Sequence, residues 1–350
     1  MLPSMPPNPE LTRPKTRSFI LPQLGFGGAG IGNAGLAITD TAAAATLGVA
    51  LTNGIRYFDT APYYGFGLSE RRLGALLQDH NVLVSTKVGR RLDPIVSGPY
   101  DDHGFVDAEP YLPTYDYSYD GVMKSFETSL SRLRRERVDL LLAHDLGRAT
   151  HGDDHSTHLK DFLDGGLAAM VELKVAGLID AIGLGVNEWQ ICEEMLKYAE
   201  FDVFLLAGRY TLLEQTPLET LFPSCAKRGV SIVVGGPYNS GILVRGVKGS
   251  SNPRYNYSAA PAHIVRRVAK LEDICDNYNV PLAAAALQFP LAHPQVASII
   301  PGMASAREVT ETIGWMALSI PDSLWSDMKT EGLLPDEAPT PRSHPATVRL

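Results

Sequence analysis

The sequence predicts an α/β fold, a single (β/α)8 or TIM barrel, and two observations carry the prediction. Eight short, mostly apolar runs alternate along the chain with helical patterns, which is typical of a parallel sheet covered on both faces. A chain of 350 residues with 45% hydrophobic and 20% charged residues can form such a barrel as one unit. The strand-like runs are residues 19–27, 55–61, 81–89, 138–145, 180–186, 202–208, 230–236 and 296–302.

A helical pattern follows each of the eight runs. We expect an Ala-rich helix to begin at Thr39 or Asp40 and to end at Gly54, because hydroxyl and carboxylate side chains cap helix starts and Gly ends helices. The second helix is expected to begin at Ser69 and the third at Asp120. The remaining helices are predicted within residues 163–177, 189–198, 218–228, 264–275 and 305–316.

A doubly wound open sheet is the alternative architecture. Such a sheet would usually carry a GxGxxG fingerprint between its first strand and its first helix. The segment at that place reads LGFGGAGIG, and the helical pattern begins only near residue 39, so the fit is poor.

Two connections are long, residues 90–119 after the third strand and residues 237–260 after the seventh. Both follow the carboxyl ends of strands, where the active sites of such barrels lie. The first is rich in aromatic and acidic residues, which suits a lid or a substrate wall. Outside the barrel domain, residues 18–333, we expect a flexible N-terminal arm (1–17) and a Pro-rich C-terminal tail (334–350).

Charge, cysteine content and hydropathy exclude several classes of protein. A net charge of −8 argues against a nucleic-acid or anionic-membrane surface. Cys192, Cys225 and Cys275 lie too far apart for a disulfide framework or a CxxC metal site. No apolar run is long enough to span a membrane, and the N-terminal residues lack the apolar segment of a secretory signal. We therefore expect a cytoplasmic monomer or small homo-oligomer that acts on a small molecule.

Four polar residues are predicted to meet at one mouth of the barrel. Asp59, Lys87 and His144 close the second, third and fourth strands, and Tyr64 lies five residues past Asp59. A buried Lys needs a counter-charge, which Asp59 can supply, and the ammonium should lower the pKa of Tyr64. Tyr64 can then exchange a proton with a carbinol or carbonyl oxygen that His144 also binds. Such a relay lacks a redox agent, so a redox reaction would require a hydride-carrying cofactor.

Each of these residues taken alone has a structural alternative. A strand-end Asp–Lys pair is often a structural ion pair, and a strand-end His is often a hydrogen-bonded core residue. The joint placement of the four residues on consecutive strands favours a site.

The segments FDTAPYYGFGLSERRLG (58–74), STKVG (85–89) and LLLAHD (140–145) resemble the aldo-keto reductase superfamily, whose pattern is DTAxxYG with a strand-end Lys and a strand-end His. The resemblance runs from about residue 19 to residue 317. It implies a nicotinamide dinucleotide bound in an extended pose across the barrel mouth. It also implies that the catalytic tetrad is Asp59, Tyr64, Lys87 and His144.

The same resemblance implies contacts with the cofactor. Asn187 matches the family's Asn that holds the carboxamide, and the Gly-rich stretch 235–243 can offer backbone N–H groups to the pyrophosphate. Where the family has Ser, Gln and a stacking Tyr, this chain has Val186, Ala207 and Gly235, and Arg209 or Tyr210 could compensate. The expected cofactor contacts are Gly27, Gly28, Asn187, Arg209, Gly235, Asn239, Ser240, Gly241, Leu243, Gly302, Ser305 and Glu308.

NAD is the expected cofactor in preference to NADP. Family members that use NADP place Lys and Arg around its 2′-phosphate in the segment after the eighth strand, which reads IIPGMASAREVTETIG here. Alignment on ETIG puts Glu308 where the phosphate-binding Arg would be. A carboxylate would repel a phosphate and could accept hydrogen bonds from ribose hydroxyls. A slip of one residue would put Arg307 there instead.

The segments GVNEW, FLLAGRYTLLEQ, GGPYNSGIL and PLAAAALQFPLAHP resemble the branch of the D-threo-aldose 1-dehydrogenases, with L-galactose and pyridoxal 4-dehydrogenases nearby. This implies NAD-dependent oxidation of a cyclic aldose (L-fucose, L-galactose or D-arabinose) at C1 to the lactone, with Tyr64 as general acid/base. Pyridoxal, which also forms a cyclic hemiacetal, is the alternative substrate. A general NADPH-dependent carbonyl reductase is the alternative activity. Trp189, Tyr238 and residues 90–119 are expected to line the substrate.

The segment HGDDHSTH after the fourth strand is the basis of a rival hypothesis, a metal-dependent hydrolase. Its spacings would put His151, His155 and His158 on one helix face. Gly152 and the acidic pair that follows discourage a helix, so a solvated loop without a metal is the expectation. A non-catalytic cofactor-binding subunit is a third hypothesis, which the complete tetrad disfavours.

Overall fold

The computed structural model describes residues 20–95 and 101–342 of the chain. Its centre is a sheet of eight parallel strands that neighbour one another in chain order. Bridges from Leu24 to Ile299 and from Gly27 to Gly302 join the last strand to the first, so the predicted (β/α)8 barrel is confirmed. The strands are β1 (Phe26–Gly27), β2 (Tyr57–Asp59), β3 (Leu83–Val88), β4 (Leu140–His144), β5 (Ala181–Val186), β6 (Val203–Ala207), β7 (Ser231–Gly235) and β8 (Val296–Ile300).

Two apolar layers hold the barrel together. The inner layer fills the barrel and includes Tyr57, Leu140, Leu142 and Val233. The larger outer layer lies between the strands and the helices and includes Leu141. Because successive side chains on a strand point to opposite faces, the residues that follow the inner-layer positions at intervals of two also face inward.

The helices surround the strands, as the sequence predicts. The main helices are α1 (Asp40–Thr52), α2 (Leu68–Leu77), α3 (Tyr119–Leu133), α4 (Leu167–Val175), α5 (Gln190–Met195), α6 (Leu221–Arg228), α7 (Ala262–Asn277) and α8 (Ala306–Ala317). Shorter or additional helices are Arg148–His151, His155–Asp161, Ile242–Arg245, Leu282–Gln288 and Asp322–Thr330.

Two predicted helix starts are wrong. The cap of α1 is Thr39, as expected, and its hydroxyl accepts the Ala42 N–H. Helix α2 begins at Leu68, one residue before Ser69, and the buried Ser69 hydroxyl donates to the Gly28 carbonyl at 2.8 Å. Helix α3 begins at Tyr119, one residue before the predicted start at Asp120, and the hydroxyl of its cap Ser118 accepts the Gly121 N–H.

The two long connections contain hairpins at the carboxyl ends of the strands. After β3, residues Arg90–Pro94 pair antiparallel with Tyr111–Tyr115. After β7, the short strands Arg254–Tyr255 and Ser258–Ala259 form a second hairpin. The first predicted strand is shorter than expected, since only Phe26–Gly27 forms a continuous ladder with β2.

The ends of the chain are described only in part. The predicted arm, residues 1–17, lies outside the described residues, and so do residues 343–350 of the predicted tail. Leu334 and Ala338 are buried in the outer apolar layer, and the domain division remains a prediction. Within the two described ranges, no helix is both long enough and apolar enough to cross a membrane.

Candidate active site

The structure brings the four predicted residues together. Asp59 lies two residues after the inward-facing Tyr57, and Lys87 lies on the inward face of β3. The Lys87 ammonium donates to Asp59 Oδ2 at 2.8 Å, to the Thr60 carbonyl at 2.8 Å and to the Tyr64 hydroxyl at 3.1 Å. The rings of Tyr64 and His144 lie 6.0 Å apart. Alternation along three neighbouring strands thus places Asp59, Lys87 and His144 at one mouth, and the loop after β2 brings Tyr64 to them.

A hydrogen-bond chain holds the Asp59 carboxylate. Its Oδ1 accepts the Ser85 hydroxyl at 2.6 Å, and the Ser85 oxygen lies 3.0 Å from the Tyr57 hydroxyl. Its Oδ2 accepts from Lys87, whose side chain is 1% exposed. With both oxygens bound, the carboxylate keeps one orientation toward the ammonium, as a buried pair requires.

The pKa of Tyr64 departs from the prediction. Burial raises the pKa of Tyr64 to about 12, although the neighbouring Lys87 opposes this rise. The sequence predicts a lowered pKa, and this is wrong because burial penalises the phenolate more than the ammonium stabilises it. The carboxylate of Asp59, which raises the pKa further, also offsets part of the effect of Lys87. Lys87 itself stays charged, since Asp59 and Tyr64 raise its pKa against the effect of burial.

His144 is neutral at pH 7. Burial lowers its pKa well below the usual value, and the charges of Arg90 and Lys87 lower it further. Its Nδ1 has no hydrogen-bond partner among the described residues, and its Nε2 lies 3.5 Å from Asp145 Oδ2. A neutral imidazole offers one donor and one acceptor, which suits a group that orients a substrate oxygen.

Sequence reasoning missed a second buried ion pair beside the tetrad. Arg90 donates to Asp145 at 2.5 Å, and the side chains are 9% and 6% exposed. The Arg90 guanidinium lies over the ring of Tyr63, 3.9 Å from its centroid, and 4.9 Å from that of Tyr115. The sequence indicates this pair only through its positions: Asp145 directly follows His144, and Arg90 directly follows the STKVG segment.

An aromatic wall stands next to Tyr64. Phe105 and His103, from the long connection after β3, lie 5.2 and 5.7 Å from the ring of Tyr63. Phe105 is also 6.4 Å from the ring of Tyr64. The expected wall from residues 90–119 therefore has aromatic members at the tetrad, while residues 96–100 lie outside the described residues.

Tyr257, which sequence reasoning also missed, stands at the rim of the mouth. It occupies the turn of the second hairpin with a φ of 63°, and its N–H donates to Ser240 Oγ at 2.9 Å. The side chain is 72% exposed, yet burial by the surrounding rim raises its pKa, with smaller effects from Asp145 and Arg209. Tyr257 is also close enough to Tyr64 to raise its pKa slightly.

The two predicted substrate residues lie apart from the aromatic wall. Trp189 Nε1 donates to Thr216 Oγ1 at 3.1 Å, between the loops after β5 and β6. The ring of Tyr238 lies 6.2 Å from that of Trp315 on α8 and packs on the outer apolar layer. Their roles toward a substrate remain predictions.

Several predicted cofactor residues form a rim of hydrogen-bonding groups. Asn187 Nδ2 donates to Asp145 Oδ1 at 3.2 Å, and Arg209 donates to Asn256 Oδ1 at 3.2 Å. Ser240 and Gly241 have positive φ angles of 59° and 86° in the turn after β7. An amide, a guanidinium, a hydroxyl and turn N–H groups are the chemistry that a carboxamide and a pyrophosphate require, so these residues fit a nicotinamide dinucleotide.

Other residues of that predicted set have structural partners. A Cβ at Gly28 would lie 2.6 Å from the Asp59 carbonyl, and one at Gly27 would lie 2.9 Å from that of Ile300, so close strand packing alone requires glycine at both positions. A Cβ at Gly235 would lie 3.0 Å from Leu205, which leaves little room there for a larger side chain. Asn239 links the loops after β6 and β7 through Gly208 and Thr211, Leu243 is buried, and Gly302 bridges to Gly27.

Ser305 and Glu308 form a capping arrangement at the start of α8. The Ser305 hydroxyl accepts the Glu308 N–H at 3.2 Å, and the Glu308 carboxylate accepts the Ala304 N–H at 2.6 Å. Arg307 pairs with Glu311 at 2.7 Å on the exposed face of the same helix. The Glu308 carboxylate is therefore held at the loop after β8, whereas the Arg307 guanidinium is held on the exposed face of the helix.

Tyr210 does not compensate for the missing family residues. Its side chain is fully buried, and its ring lies 4.6 Å from that of Phe222 in the outer apolar layer. Only Arg209 of the predicted alternatives reaches the rim.

The histidine-rich segment differs from the prediction. It is helical over Arg148–His151 and His155–Asp161 instead of a loop. The rings of His151 and His158 lie 4.2 Å apart, but His155 turns away, with Nδ1 3.2 Å from the Leu146 carbonyl. The three imidazoles therefore do not converge, and no cluster of three metal-binding side chains occurs within residues 20–95 and 101–342.

Comparisons with known proteins identify the family of the chain. The aldo/keto reductase family model matches residues 23–330. Pyridoxal 4-dehydrogenase of Microbacterium luteolum is 42% identical over 89% of this chain and 94% of its own length. D-threo-aldose 1-dehydrogenase of a Pseudomonas species is 36% identical over 90% of this chain and 95% of its own length. A holo-form aldo-keto reductase from Bacillus halodurans superposes with a TM-score of 0.68 at 25% identity, covering 94% of this chain and 95% of that one. The predicted resemblance is confirmed, and the chain belongs to the aldo/keto reductase family.

Proposed function

We propose that this oxidoreductase converts the carbinol of a cyclic hemiacetal into a lactone, with NAD as hydride acceptor. One observation carries the proposal: the buried Lys87 ammonium contacts both Asp59 and the Tyr64 hydroxyl, next to a neutral His144. This arrangement can move a proton at one oxygen while a hydride leaves the attached carbon. Two relatives, named pyridoxal 4-dehydrogenase and D-threo-aldose 1-dehydrogenase, support it, because both pyridoxal and aldoses form cyclic hemiacetals.

The residues divide the reaction among them. Tyr64, as phenolate, takes the proton of the hemiacetal hydroxyl, and the carbon–oxygen double bond forms as the carbon–hydrogen bond breaks. A nicotinamide dinucleotide held at the mouth would accept the hydride. Lys87 stabilises the phenolate form, Asp59 holds Lys87, and His144 donates a hydrogen bond to the same substrate oxygen. The products are the lactone, the reduced dinucleotide and one proton.

The choice of NAD rests on the loop after β8. The Glu308 carboxylate is fixed at that loop by the Ala304 N–H, whereas Arg307 is paired with Glu311. A carboxylate at this place disfavours a 2′-phosphate and can accept ribose hydroxyls. This supports the alignment that puts Glu308 at the phosphate-binding position over the alternative alignment that puts Arg307 there.

The aromatic wall favours pyridoxal as the substrate. The sequence predicts an aldose first, but the rings of Tyr63 and Phe105 lie next to the tetrad, 6.0 Å from His144 and 6.4 Å from Tyr64 respectively. A flat pyridine ring stacks on such surfaces, whereas a sugar requires a hydrogen-bond partner for each buried hydroxyl. The identity of 42% to a pyridoxal 4-dehydrogenase points the same way. An aldose is the second candidate, supported by the relative at 36% identity.

One panel tests the proposal. Reduction of NAD and of NADP is measured with pyridoxal, L-fucose, L-galactose and D-arabinose. We expect the highest kcat/KM with pyridoxal and NAD, and at least a tenfold preference for NAD, about 1.4 kcal/mol. A higher kcat/KM with a sugar would transfer the proposal to the aldose. Reduction of open-chain aldehydes by NADPH, with no turnover of any cyclic hemiacetal, would contradict it.

A further inference from the structure

The carboxylate of Asp145 connects groups from three neighbouring strand ends. Oδ2 accepts from Arg90, which follows β3, and lies 3.5 Å from His144 Nε2 at the end of β4. Oδ1 accepts the amide N–H of Asn187, which follows β5, at 3.2 Å. One buried acidic group therefore contacts both the residue predicted to orient the substrate oxygen and the residue predicted to hold the carboxamide.

The backbone of Asp145 is in an uncommon conformation. Its φ angle is 50°, in the left-handed region that residues other than glycine seldom occupy, and its N–H donates to the Gly185 carbonyl at 2.9 Å. Such conformations persist where surrounding contacts hold them, and they cluster at functional sites. Here the conformation turns the chain immediately after His144 while the side chain stays inside the mouth.

Arg90 fixes the carboxylate in place. Its guanidinium lies between the rings of Tyr63 and Tyr115, and its Nε has no hydrogen-bond partner among the described residues. A buried ion pair contributes little net stability, because desolvation offsets the attraction. We therefore expect the ion pair of Arg90 and Asp145 to orient the carboxylate, and not mainly to stabilise the fold.

A carboxylate also selects one orientation of a neighbouring amide. It has acceptor oxygens only, so Asn187 must turn its NH2 group toward Asp145 and present its carbonyl oxygen elsewhere. A neutral amide at position 145 would accept either orientation of Asn187.

We propose that Asp145 is a positioning residue: it fixes the amide of Asn187 and the ring of His144 in the arrangement that receives the nicotinamide and the substrate oxygen. Arg90 holds the carboxylate of Asp145 in place through their ion pair. The proposal rests on the proposed function for the roles of Asn187 and His144, and it adds Asp145 and Arg90 as residues that act through them.

The test uses Asp145→Asn, because Asn, like Asp, tolerates a left-handed φ and nearly keeps the volume. NADH binding to the purified enzyme is measured by fluorescence titration, together with KM for NAD. We expect Kd and KM each to rise about tenfold, since a neutral acceptor binds the Asn187 amide more weakly and no longer selects its orientation.

A double-mutant cycle separates positioning from a merely structural effect. The double variant Asn187→Ala with Asp145→Asn is compared with Asn187→Ala alone. If Asp145 acts through Asn187, the two variants have the same Kd for NADH within about twofold. Glu70→Gln is the matched control, because Glu70 forms a buried pair with Arg132 away from the mouth. It should leave the Kd unchanged. If Asp145→Asn does not fold, the cycle is run in the Arg90→Met background, which removes the unpaired buried charge.

Two results would overturn the proposal: an unchanged Kd in Asp145→Asn, or additive effects in the cycle. Turnover in Tyr64→Phe is measured in parallel. Retained turnover in that variant contradicts the proposed function, whereas the NADH titrations judge Asp145 without reference to turnover.

Discussion

Two ion pairs in the barrel, each with a buried carboxylate, have similar contacts and different surroundings. Asp59 and Lys87 meet at 2.8 Å on the inner face of the strands, at the mouth. Glu70 and Arg132 meet at 2.6 Å between helices α2 and α3, and the Glu70 side chain is 0% exposed. The remaining Glu70 oxygen accepts the Thr86 hydroxyl at 2.5 Å, just as the remaining Asp59 oxygen accepts the Ser85 hydroxyl.

The difference lies in what the cation contacts next. Lys87 contacts the hydroxyl of Tyr64, a group with a removable proton at the mouth. Arg132 contacts the Ser129 hydroxyl of its own helix. Burial and pairing alone therefore do not identify a catalytic pair. A catalytic pair is identified by a third, titratable group at the mouth that the cation contacts.

The largest expected effect comes from the proton of Tyr64. Because oxidation needs the phenolate and the pKa of Tyr64 is about 12, the phenolate fraction rises as the pH rises toward that value. We expect kcat/KM for oxidation to rise about tenfold per pH unit, or about a thousandfold from pH 7 to pH 10. Steady-state kinetics of NADH formation in buffers of constant ionic strength provide the measurement. A plateau below pH 9 would show that a group with a much lower pKa limits the reaction.

A matched pair of substitutions compares the two ion pairs directly. Asp59→Asn should lower kcat about a hundredfold, because Lys87 loses the group that directs it toward Tyr64. Glu70→Gln should leave kcat within about twofold and lower the free energy of unfolding by about 1–3 kcal/mol. Kinetics and thermal unfolding of both variants check this. Equal losses of kcat would remove the distinction between the pairs.

The rim of the mouth provides a smaller effect. Glu308→Gln removes the charge from the loop after β8 but keeps an oxygen that can accept the Ala304 N–H. We expect the preference for NAD over NADP to fall about tenfold through a lower KM for NADP, because a repulsive charge is gone. Glu70→Gln, whose ion pair with Arg132 lies away from the mouth, is the control. An unchanged ratio of kcat/KM values would separate Glu308 from cofactor choice.

The smallest effect is expected at Tyr257, in the turn of the second hairpin. Tyr257 is 72% exposed, so Tyr257→Ala should not change the thermal midpoint. Loss of one ring contact should raise KM for pyridoxal about fivefold and leave KM for a sugar unchanged. A larger effect on the sugar would favour an aldose as substrate.

The positions of the tetrad could be predicted because they depend on two regular rules. Side chains alternate along a strand, and parallel strands in a barrel end at one mouth. Tyr57 and Asp59 on β2, and Leu140, Leu142 and His144 on β4, follow that alternation in the structure. Motif spacing therefore sufficed to bring the four residues together.

Residues just beyond the strands could not be predicted in the same way. Arg90 and Asp145 each lie outside the ladder, and the direction of Asp145 depends on a φ angle of 50°. Tyr257 reaches the rim through a hairpin turn within a long loop. No periodic pattern specifies such placements, because they follow from turn geometry and from contacts between distant segments.

The sequence also could not predict that the pKa of Tyr64 is raised. This rise depends on how completely Phe105 and the loop after β3 cover the ring, a property of the folded loop. The motif shows that Lys87 is near, which lowers the pKa, but it does not show the burial that outweighs it.

The central claim is that Tyr64 carries the proton, and Tyr64→Phe tests it most directly. NADH formation at saturating substrate is compared with that of Tyr63→Phe, a matched control one residue away whose ring still covers Arg90. NADH affinity is titrated in both variants. We predict that Tyr64→Phe loses at least about a hundredfold in kcat and binds NADH within about twofold of the unmodified enzyme, while Tyr63→Phe keeps most of its turnover. A Tyr64→Phe enzyme that retained more than about a tenth of its turnover would contradict the claim.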